Sequence, residues 1–375
     1  MSDEHFMSRA LDLAARADGW VSPNPMVGAL LVSGNEIIGE GYHRRLGAAH
    51  AEAEAIAATR ADHGTGALQA STLYSTLEPC THFGRTPPCV DDIISAKIPR
   101  VVVGAIDPNP KVNGKGVAAL RTAGVEVVVG CLADRVRSLN EVYWTYMTKE
   151  RPFVLLKGAV SLDGKLASRS GDSRWVSSEA ARHRGHEMRS RVDAVSIGLG
   201  TVRADDPLLT VRYVPIRRRQ PTRVVFDTTL GIPPDSRLVA TATEVKTIVA
   251  CGPGAPQDRE EVLRARAVEV WRCDLDARGR VSPADVLRRL RTLEIASVLL
   301  EGGGTLNASF LEGGFVDRIE LFLCPVVLGG IRAVPLVAGN GWESVAAAPR
   351  YRFGAVEAIG SDYLVTAYPL ASAGE

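Results

Sequence analysis

Apolar residues along this chain recur with two rhythms. Stretches with helical spacing alternate with short continuous apolar runs, which predicts helices layered on buried strands. Phe6, Leu11 and Leu13 among alanines predict an opening helix. Residues 27–32 and 36–41 read as two strands around a Gly34-Asn35 turn. An alanine-rich helix is expected over 50–59 and a short strand over 73–76. Glu78-Pro79-Cys80 reads as a turn into the next helix. Two strands expected to be buried, 101–104 and 125–129, bracket a helix at 116–123.

The pattern changes between 132 and 151, where charged residues surround Tyr143, Trp144 and Tyr146. A domain junction is placed there, giving domains 1–147 and 148–375. The second half restarts with a strand at 153–160. Further strands are expected at 194–197, 223–226, 247–250, 268–271, 297–301 and 318–323, with helices at 179–189, 283–293 and 305–311. Both halves are therefore α/β.

Composition narrows the class. A chain of 375 residues with 46% hydrophobic and 23% charged residues is an ordinary globular protein of two or three domains. Its net charge of +1 supplies no field for nucleic acid or an anionic membrane. The densest basic run, Arg217-Arg218-Arg219 between Pro215 and Pro221, reads as a solvated loop. No apolar run is long enough to span a bilayer, and the polar first residues do not resemble a signal peptide. Six unevenly spread cysteines form no disulfide framework, so a cytoplasmic, reducing location is expected.

Four residues stand out chemically. His50, Cys80 and Cys89 offer the nitrogen and thiolate ligands that zinc prefers, and three protein ligands leave one position for water. Glu52, two residues from the histidine, is suited to moving protons to and from that water. The order H-x-E followed by P-C opens the signature of zinc nucleobase deaminases. The second cysteine departs from that signature, because eight residues separate it from the first instead of two. Cys131, Cys251, Cys273 and Cys324 lack such neighbours and read as small buried hydrophobes.

A second candidate site lies in the other half. Val298-Leu299-Leu300-Glu301-Gly302-Gly303-Gly304-Thr305 is a strand entering a glycine turn and a helix, whose N–H groups can cradle phosphate. Many strand-to-helix turns are glycine-rich, so this feature alone leaves the role open. Gly198-Leu199-Gly200-Thr201-Val202-Arg203 begins like a dinucleotide fingerprint, but Arg203 stands where the third glycine belongs. Asp163-Gly164 reads as plain turn chemistry. Ala204-Asp205-Asp206-Pro207 reads equally as a helix cap with a solvated loop.

Taken together these residues resemble the bifunctional riboflavin-biosynthesis deaminase/reductases, and the resemblance covers nearly the whole chain. The deaminase half is carried by Asn24-Pro25-Met26-Val27-Gly28-Ala29, by His50 to Ala55, and by Leu77 through Cys89. The eight-residue gap is typical of that family. The reductase half is carried by Lys157 to Gly164, Ser173-Arg174-Trp175, Arg189, Thr201 to Arg212, and Glu301 to Leu306. Arg85 stands where relatives often have lysine, which exchanges a point charge for a fork.

The resemblance implies a cytidine-deaminase-like three-layer domain followed by a dihydrofolate-reductase-like domain, which accounts for the missing Rossmann fingerprint. It implies zinc-dependent deamination of 2,5-diamino-6-ribosylamino-4(3H)-pyrimidinone 5′-phosphate. NADPH would then reduce the ribosyl chain to ribityl. Asn24, His43, His82 and Arg85 are implied to hold the first substrate. Ala159, Trp175, Thr201, Asp205, Thr228, Gly303, Gly304, Thr305, Leu306, Asn307, Ala308 and Ser309 are implied for NADPH. Ser173, Arg189, Leu209, Arg212 and Glu301 are implied for the second substrate, and Lys157 is a further candidate there. The expected partners are small molecules and further copies of the chain, with neither nucleic acid nor membrane.

Three rival readings remain. A nucleic-acid-editing deaminase would carry a basic, aromatic-lined surface and the shorter cysteine spacing. A structural zinc protein would need a fourth protein ligand, for which His82 is the nearby candidate. A degenerate enzyme would lack motifs in one half.

Overall fold

The computed structural model of this chain describes residues 1–81 and 87–370. It divides into two compact units, Met1–Glu150 and Arg151–Glu375. In the first unit the elements run α1 (Asp3–Ala15), β1 (Gly28–Ser33), β2 (Glu36–Tyr42), α2 (Ala51–His63), α3 (Thr65–Leu68), β3 (Thr72–Leu77) and α4 (Cys89–Ser95). They continue with β4 (Arg100–Ala105), α5 (Lys115–Thr122), β5 (Glu126–Val129), α6 (Ala133–Leu139) and α7 (Glu141–Thr148).

The five strands form one sheet in the order β2-β1-β3-β4-β5, with the first three antiparallel and the last pairs parallel. Side-chain alternation along each strand builds three layers. Leu30, Val32, Tyr74 and Val102 point to the face covered by Phe6, Met7, Ala10 and Leu13 of α1. Ala29, Leu31, Leu73, Val101 and Val103 point to the opposite face, against Ala55 and Ile56 of α2, Ile93 of α4 and Leu120 of α5. Strand β5 departs from expectation. It lies at the sheet edge, where Val127 is buried but Val128 and Val129 are exposed.

Helix α2 sits close to β2 because β2 carries glycines. A Cβ on Gly41 would stand 2.3 Å from the Ala51 carbonyl oxygen, and one on Gly39 would stand 2.0 Å from Thr59 Oγ1. That approach fixes the start of α2, where His50 is the N-cap residue and Glu52 lies in the first turn. The helix after Cys80 starts only at Cys89. The chain returns so that the Cys89 N–H donates to Cys80 Sγ at 3.4 Å. Cys80 thus meets a helix start without belonging to one.

The second unit contains β6 (Phe153–Ser161), β7 (Lys165–Ala167), α8 (Glu179–Arg191), β8 (Ala194–Gly198), α9 (Leu199–Asp205), β9 (Thr222–Phe226), α10 (Arg237–Ala240), β10 (Thr247–Cys251) and α11 (Gln257–Arg264). It ends with β11 (Glu269–Arg272), α12 (Pro283–Thr292), β12 (Ser297–Leu300), α13 (Gly304–Glu312), β13 (Arg318–Cys324), β14 (Val334–Pro335), β15 (Tyr351–Ile359) and β16 (Asp362–Pro369). Nine strands form a sheet in the order β11-β10-β9-β8-β12-β6-β13-β16-β15, and β7 pairs separately with β14. The sheet is parallel from β11 to β13 and closes with an antiparallel hairpin. Val286, Leu287 and Leu290 of α12 and Phe310 of α13 pack on Val154, Val224, Ile248 and Val298.

Two charged groups tie this unit together. The Asp193 carboxylate accepts from the Ala296 and Ser297 N–H groups at 3.0 and 3.2 Å and from Arg218 at 2.5 Å. The arginine run is therefore not wholly solvated, because Arg218 is half-buried in this pair. Arg223 on β9 is fully buried with no acidic partner at hydrogen-bond distance among the described residues. Its guanidinium donates instead to Thr247 Oγ1, Thr241 Oγ1 and the carbonyls of Leu208, Leu238, Thr241 and Val245. Burial lowers its pKa to about 10, which leaves it charged near neutrality.

Candidate active sites

In the first unit, His50, Cys80 and Cys89 bring one nitrogen and two sulfurs to within 4.8 Å of one another. His50 Nδ1 is 3.2 Å from Cys89 Sγ and 3.5 Å from Cys80 Sγ, so Nδ1 is the ring atom turned to the sulfurs. The Cys80 thiol is held down to about 4 by the Cys89 thiol, against burial, with His50 and the Cys89 N–H helping. The Cys89 thiol is pushed up by Cys80 and by burial. Only one sulfur of the pair ionises by itself. A cation of zinc's charge would let both do so, and nitrogen with two sulfurs is the donor set zinc favours. Among the described residues no further His, Cys, Asp or Glu joins this group. The other two residues singled out nearby, His82 and Arg85, lie outside the described residues.

Glu52 is buried beside this triad, and its Oε1 accepts from the Ser75 hydroxyl at 3.0 Å. Burial raises its pKa, and the nearby His50 opposes that. A carboxyl so placed exchanges protons near neutrality more readily than a solvated one. His43 stands edge-on to His50 with ring centroids 5.5 Å apart. Its Nδ1–H donates to the Ala49 carbonyl at 3.0 Å, and its Nε2 accepts from Asn24 Nδ2 at 3.1 Å. Burial lowers the His43 pKa, in keeping with a neutral ring. The strand-to-cysteine turn is anchored by Glu78, whose carboxylate accepts from the N–H groups of Asp107, Gly114 and Val117.

In the second unit a cavity of about 610 Å³ opens at the C-terminal ends of the parallel strands. It is lined from Lys157 and Ala159 of β6 to Phe226 at the end of β9 and Thr228 just beyond, three strand spacings away. At about 4.8 Å per spacing that is roughly 14 Å, long enough for an extended dinucleotide. Thr201, Asp205, Gly303, Gly304, Thr305, Leu306 and Ser309 of the implied NADPH set line it, as do Ser173 and Glu301 of the implied substrate set.

The glycine turn divides its work. A Cβ on Gly302 would stand 2.7 Å from Asn307 Oδ1, and one on Gly304 would stand 2.5 Å from the Pro335 carbonyl oxygen. Both are glycine because neighbouring atoms crowd them. A Cβ on Gly303 would meet only Thr201 Oγ1 at 3.7 Å, and φ of −74° suits any residue. The protein itself leaves space at Gly303, and that space faces the cavity. Such a cradle, ahead of the α13 N-terminus, fits a phosphate-bearing cofactor.

Other implied residues lie elsewhere. Asn307 and Ala308 are fully buried, and Asn307 Nδ2 donates to the Leu336 carbonyl. Trp175 is 70% exposed with Arg182 stacked 4.4 Å from its ring centroid. Leu209 is buried with φ of +52°. Arg189 does not extend as a free fork. Its Nε and Nη2 donate to the two Glu301 oxygens at 2.6 and 2.7 Å, both side chains being largely buried. Burial would raise the Glu301 pKa, yet Arg189, with Lys157 and His186, holds it down to about 2. Arg212 is exposed, with its N–H donated to His186 Nδ1. Lys157 is half-buried and its pKa is lowered by burial and by Arg189. Sequence reasoning missed the cavity walls Leu166, Val176, Phe226 and Val281, and Arg280 at its rim. No motif marks any of them.

A metal triad with a buried carboxyl, and a long cavity floored by a glycine turn, define a two-headed enzyme that joins a zinc deaminase to a nucleotide-dependent reductase. Residues 152–365 match the family described as the RibD C-terminal domain. Residues 1–105 match the cytidine and deoxycytidylate deaminase zinc-binding region. The riboflavin biosynthesis protein RibD of Actinobacillus pleuropneumoniae is 41% identical over 365 residues, covering 97% of this chain and 95% of its own. The solved structure of Acinetobacter baumannii RibD is 34% identical and aligns with a TM-score of 0.85 over 98% of this chain and 99% of that one. That of the Thermotoga maritima diaminohydroxyphosphoribosylaminopyrimidine deaminase/5-amino-6-(5-phosphoribosylamino)uracil reductase is 37% identical, with a TM-score of 0.84 and the same coverage. The chain belongs to the RibD family. It is a bifunctional deaminase and reductase of riboflavin biosynthesis that uses zinc and NADPH.

Proposed function

We propose that the two chemistries are divided between the two units, deamination in residues 1–147 and reduction in 148–375. The substrate of the first is the 5′-phosphate of 2,5-diamino-6-ribosylamino-4(3H)-pyrimidinone. The observation that carries this reading is the triad His50, Cys80 and Cys89 with Glu52 buried beside it. Zinc held there supplies the electrophile that makes water nucleophilic near neutral pH. Glu52 would take the first proton from the attacking water and pass it to the ring nitrogen, then carry the proton of the resulting hydroxyl to the amino group, which leaves as ammonia while the carbonyl forms. Ser75 holds the Glu52 carboxyl in place. Asn24 and His43 form a neutral donor–acceptor pair that orients the pyrimidine, and His82 and Arg85 are assigned to holding the same substrate.

In the second unit NADPH supplies a hydride to the opened ribosyl carbon. Gly303 and the start of α13 take its phosphates, and Ala159, Thr201, Asp205 and Thr228 line its course. Trp175, two residues after the lining residue Ser173, is the exposed aromatic offered to the cofactor. Lys157, Ser173 and Glu301 face the sugar, and Arg212, exposed with Nη1 donating to Thr210 Oγ1, takes its phosphate. Arg189 acts by holding Glu301 ionised, and its Nη1 donates to the Thr210 carbonyl at 3.5 Å. Measuring ammonia release and NADPH oxidation separately on the purified protein tests the division. Ammonia release that requires NADPH would refute it.

A reducing cytoplasm is the expected setting, supported by six free cysteines. Among the described residues no helix is long and apolar enough to cross a membrane. Self-association into a homo-oligomer is expected, and sedimentation velocity tests it.

A further inference from the structure

The cavity of the second unit has two cationic side chains in its lining among the described residues, Lys157 and Arg280. They belong to opposite ends. Lys157 stands on β6 in the field of Glu301, where the sugar is reduced. Arg280 lies beyond Thr228, on the excursion between β11 and α12. Its backbone is fixed by a tight turn. Asp276 Oδ1 accepts the Arg280 N–H at 2.9 Å, Leu275 bridges Val281, and the Val281 N–H donates to Thr228 Oγ1 at 3.3 Å. The Asp276 oxygen that could have neutralised the guanidinium is thus used on main-chain N–H groups, those of Arg278 and Arg280. Arg278, two residues earlier, is paired with Glu312 at 3.0 Å. The Arg280 guanidinium is exposed and has no partner among the described residues. An unpaired arginine whose backbone is held at the cavity end away from Lys157 suits a dianionic group there.

We propose that Arg280 binds the 2′-phosphate of NADPH and so sets the choice of NADPH over NADH. This rests on the second cavity being the cofactor site. The adenosine end would lie near Thr228, with its 2′-phosphate within the fork of Arg280, while the diphosphate crosses Gly303. The test is equilibrium binding to the full-length protein, by calorimetry, of NADPH, NADH, 2′,5′-ADP and 5′-AMP. Arg280→Ala should weaken NADPH and 2′,5′-ADP about ten- to hundredfold, the loss of one charge-assisted hydrogen-bond set. It should leave NADH and 5′-AMP within twofold. Arg280→Lys should recover part of the discrimination. Equal losses for NADPH and NADH, or no loss for either, would overturn the assignment of Arg280 while leaving the cavity as the cofactor site. A wild-type protein that binds none of the four would overturn both.

Discussion

Replacing Gly303 and replacing Gly304 should give opposite phenotypes, although the two are neighbours in one turn. At Gly303 the backbone is extended, with φ of −74° and ψ of 168°, and a Cβ has nothing nearer than 3.7 Å. Gly303 makes no side-chain cap bond to lose. Gly303→Val should therefore fold with a melting temperature within a few degrees of wild type. Its methyl groups fill the space where phosphate meets the N–H groups of α13. Losing one charge-assisted hydrogen bond costs about 1.5–3 kcal/mol, or roughly ten- to 150-fold in NADPH affinity. Gly304→Ala puts a Cβ 2.5 Å from a main-chain oxygen and 3.1 Å from Ala338. Overpacking of that kind costs about 1–3 kcal/mol, which for a unit of this size lowers the melting temperature by roughly 2–12 °C. Differential scanning calorimetry paired with NADPH titration separates the two effects. Ammonia release should stay unchanged in Gly303→Val. If Gly303→Val melted early while binding NADPH normally, the reading of this turn as a phosphate cradle would fail.

The other expectations can be checked on the same protein. Glu52→Gln should lower ammonia release at least about 10²–10⁴-fold, with zinc content by metal analysis unchanged; near wild-type release would remove Glu52 as the proton carrier. Stripping the metal with a chelator should abolish ammonia release yet leave reduction of the deaminated intermediate, and simultaneous loss of both would contradict the division. Arg212→Ala should weaken the second substrate by about 1.5–3 kcal/mol with NADPH affinity intact, read from the two KM values. His186 is held down to about 4 by burial, with Arg189 and Arg212 adding to it. The unfolded chain therefore takes up that proton first as pH falls from about 6.5. Stability from the neutral ring is complete above that pH and lost on the way down through about 4, so His186→Gln should flatten the melting profile across that window. An unchanged slope would show that the folded chain takes up this proton as readily as the unfolded one.

The parts legible in the sequence were those whose cause is local. The zinc ligands announce themselves because His50 and Glu52 lie two residues apart at a helix start and the cysteines lie nine residues apart in the sequence. Strands such as 194–197 and 297–300 show as continuous apolar runs because both faces of the sheet are covered. The hairpin of β15 and β16 escaped notice because β15 is exposed on both sides and carries no alternation. Helix α9 escaped because only Val202 of its seven residues is buried. Residues 112 positions apart in the chain, Arg189 and Glu301, look like two independent substrate ligands until the fold pairs them. Arg280 lies in a turn with no motif, and only the cavity wall gives it meaning.

The manner in which Arg223 is held makes ionic strength a useful reagent for this protein. Its charge is neutralised by carbonyl and hydroxyl dipoles at close range, where dissolved ions do not enter. The β9 support beneath the cofactor cavity should therefore be indifferent to salt. Phosphates bound by exposed arginines should be strongly salt-sensitive. Raising sodium chloride would thus unload ligands from an intact scaffold and report how many charges each one contributes, without altering a residue.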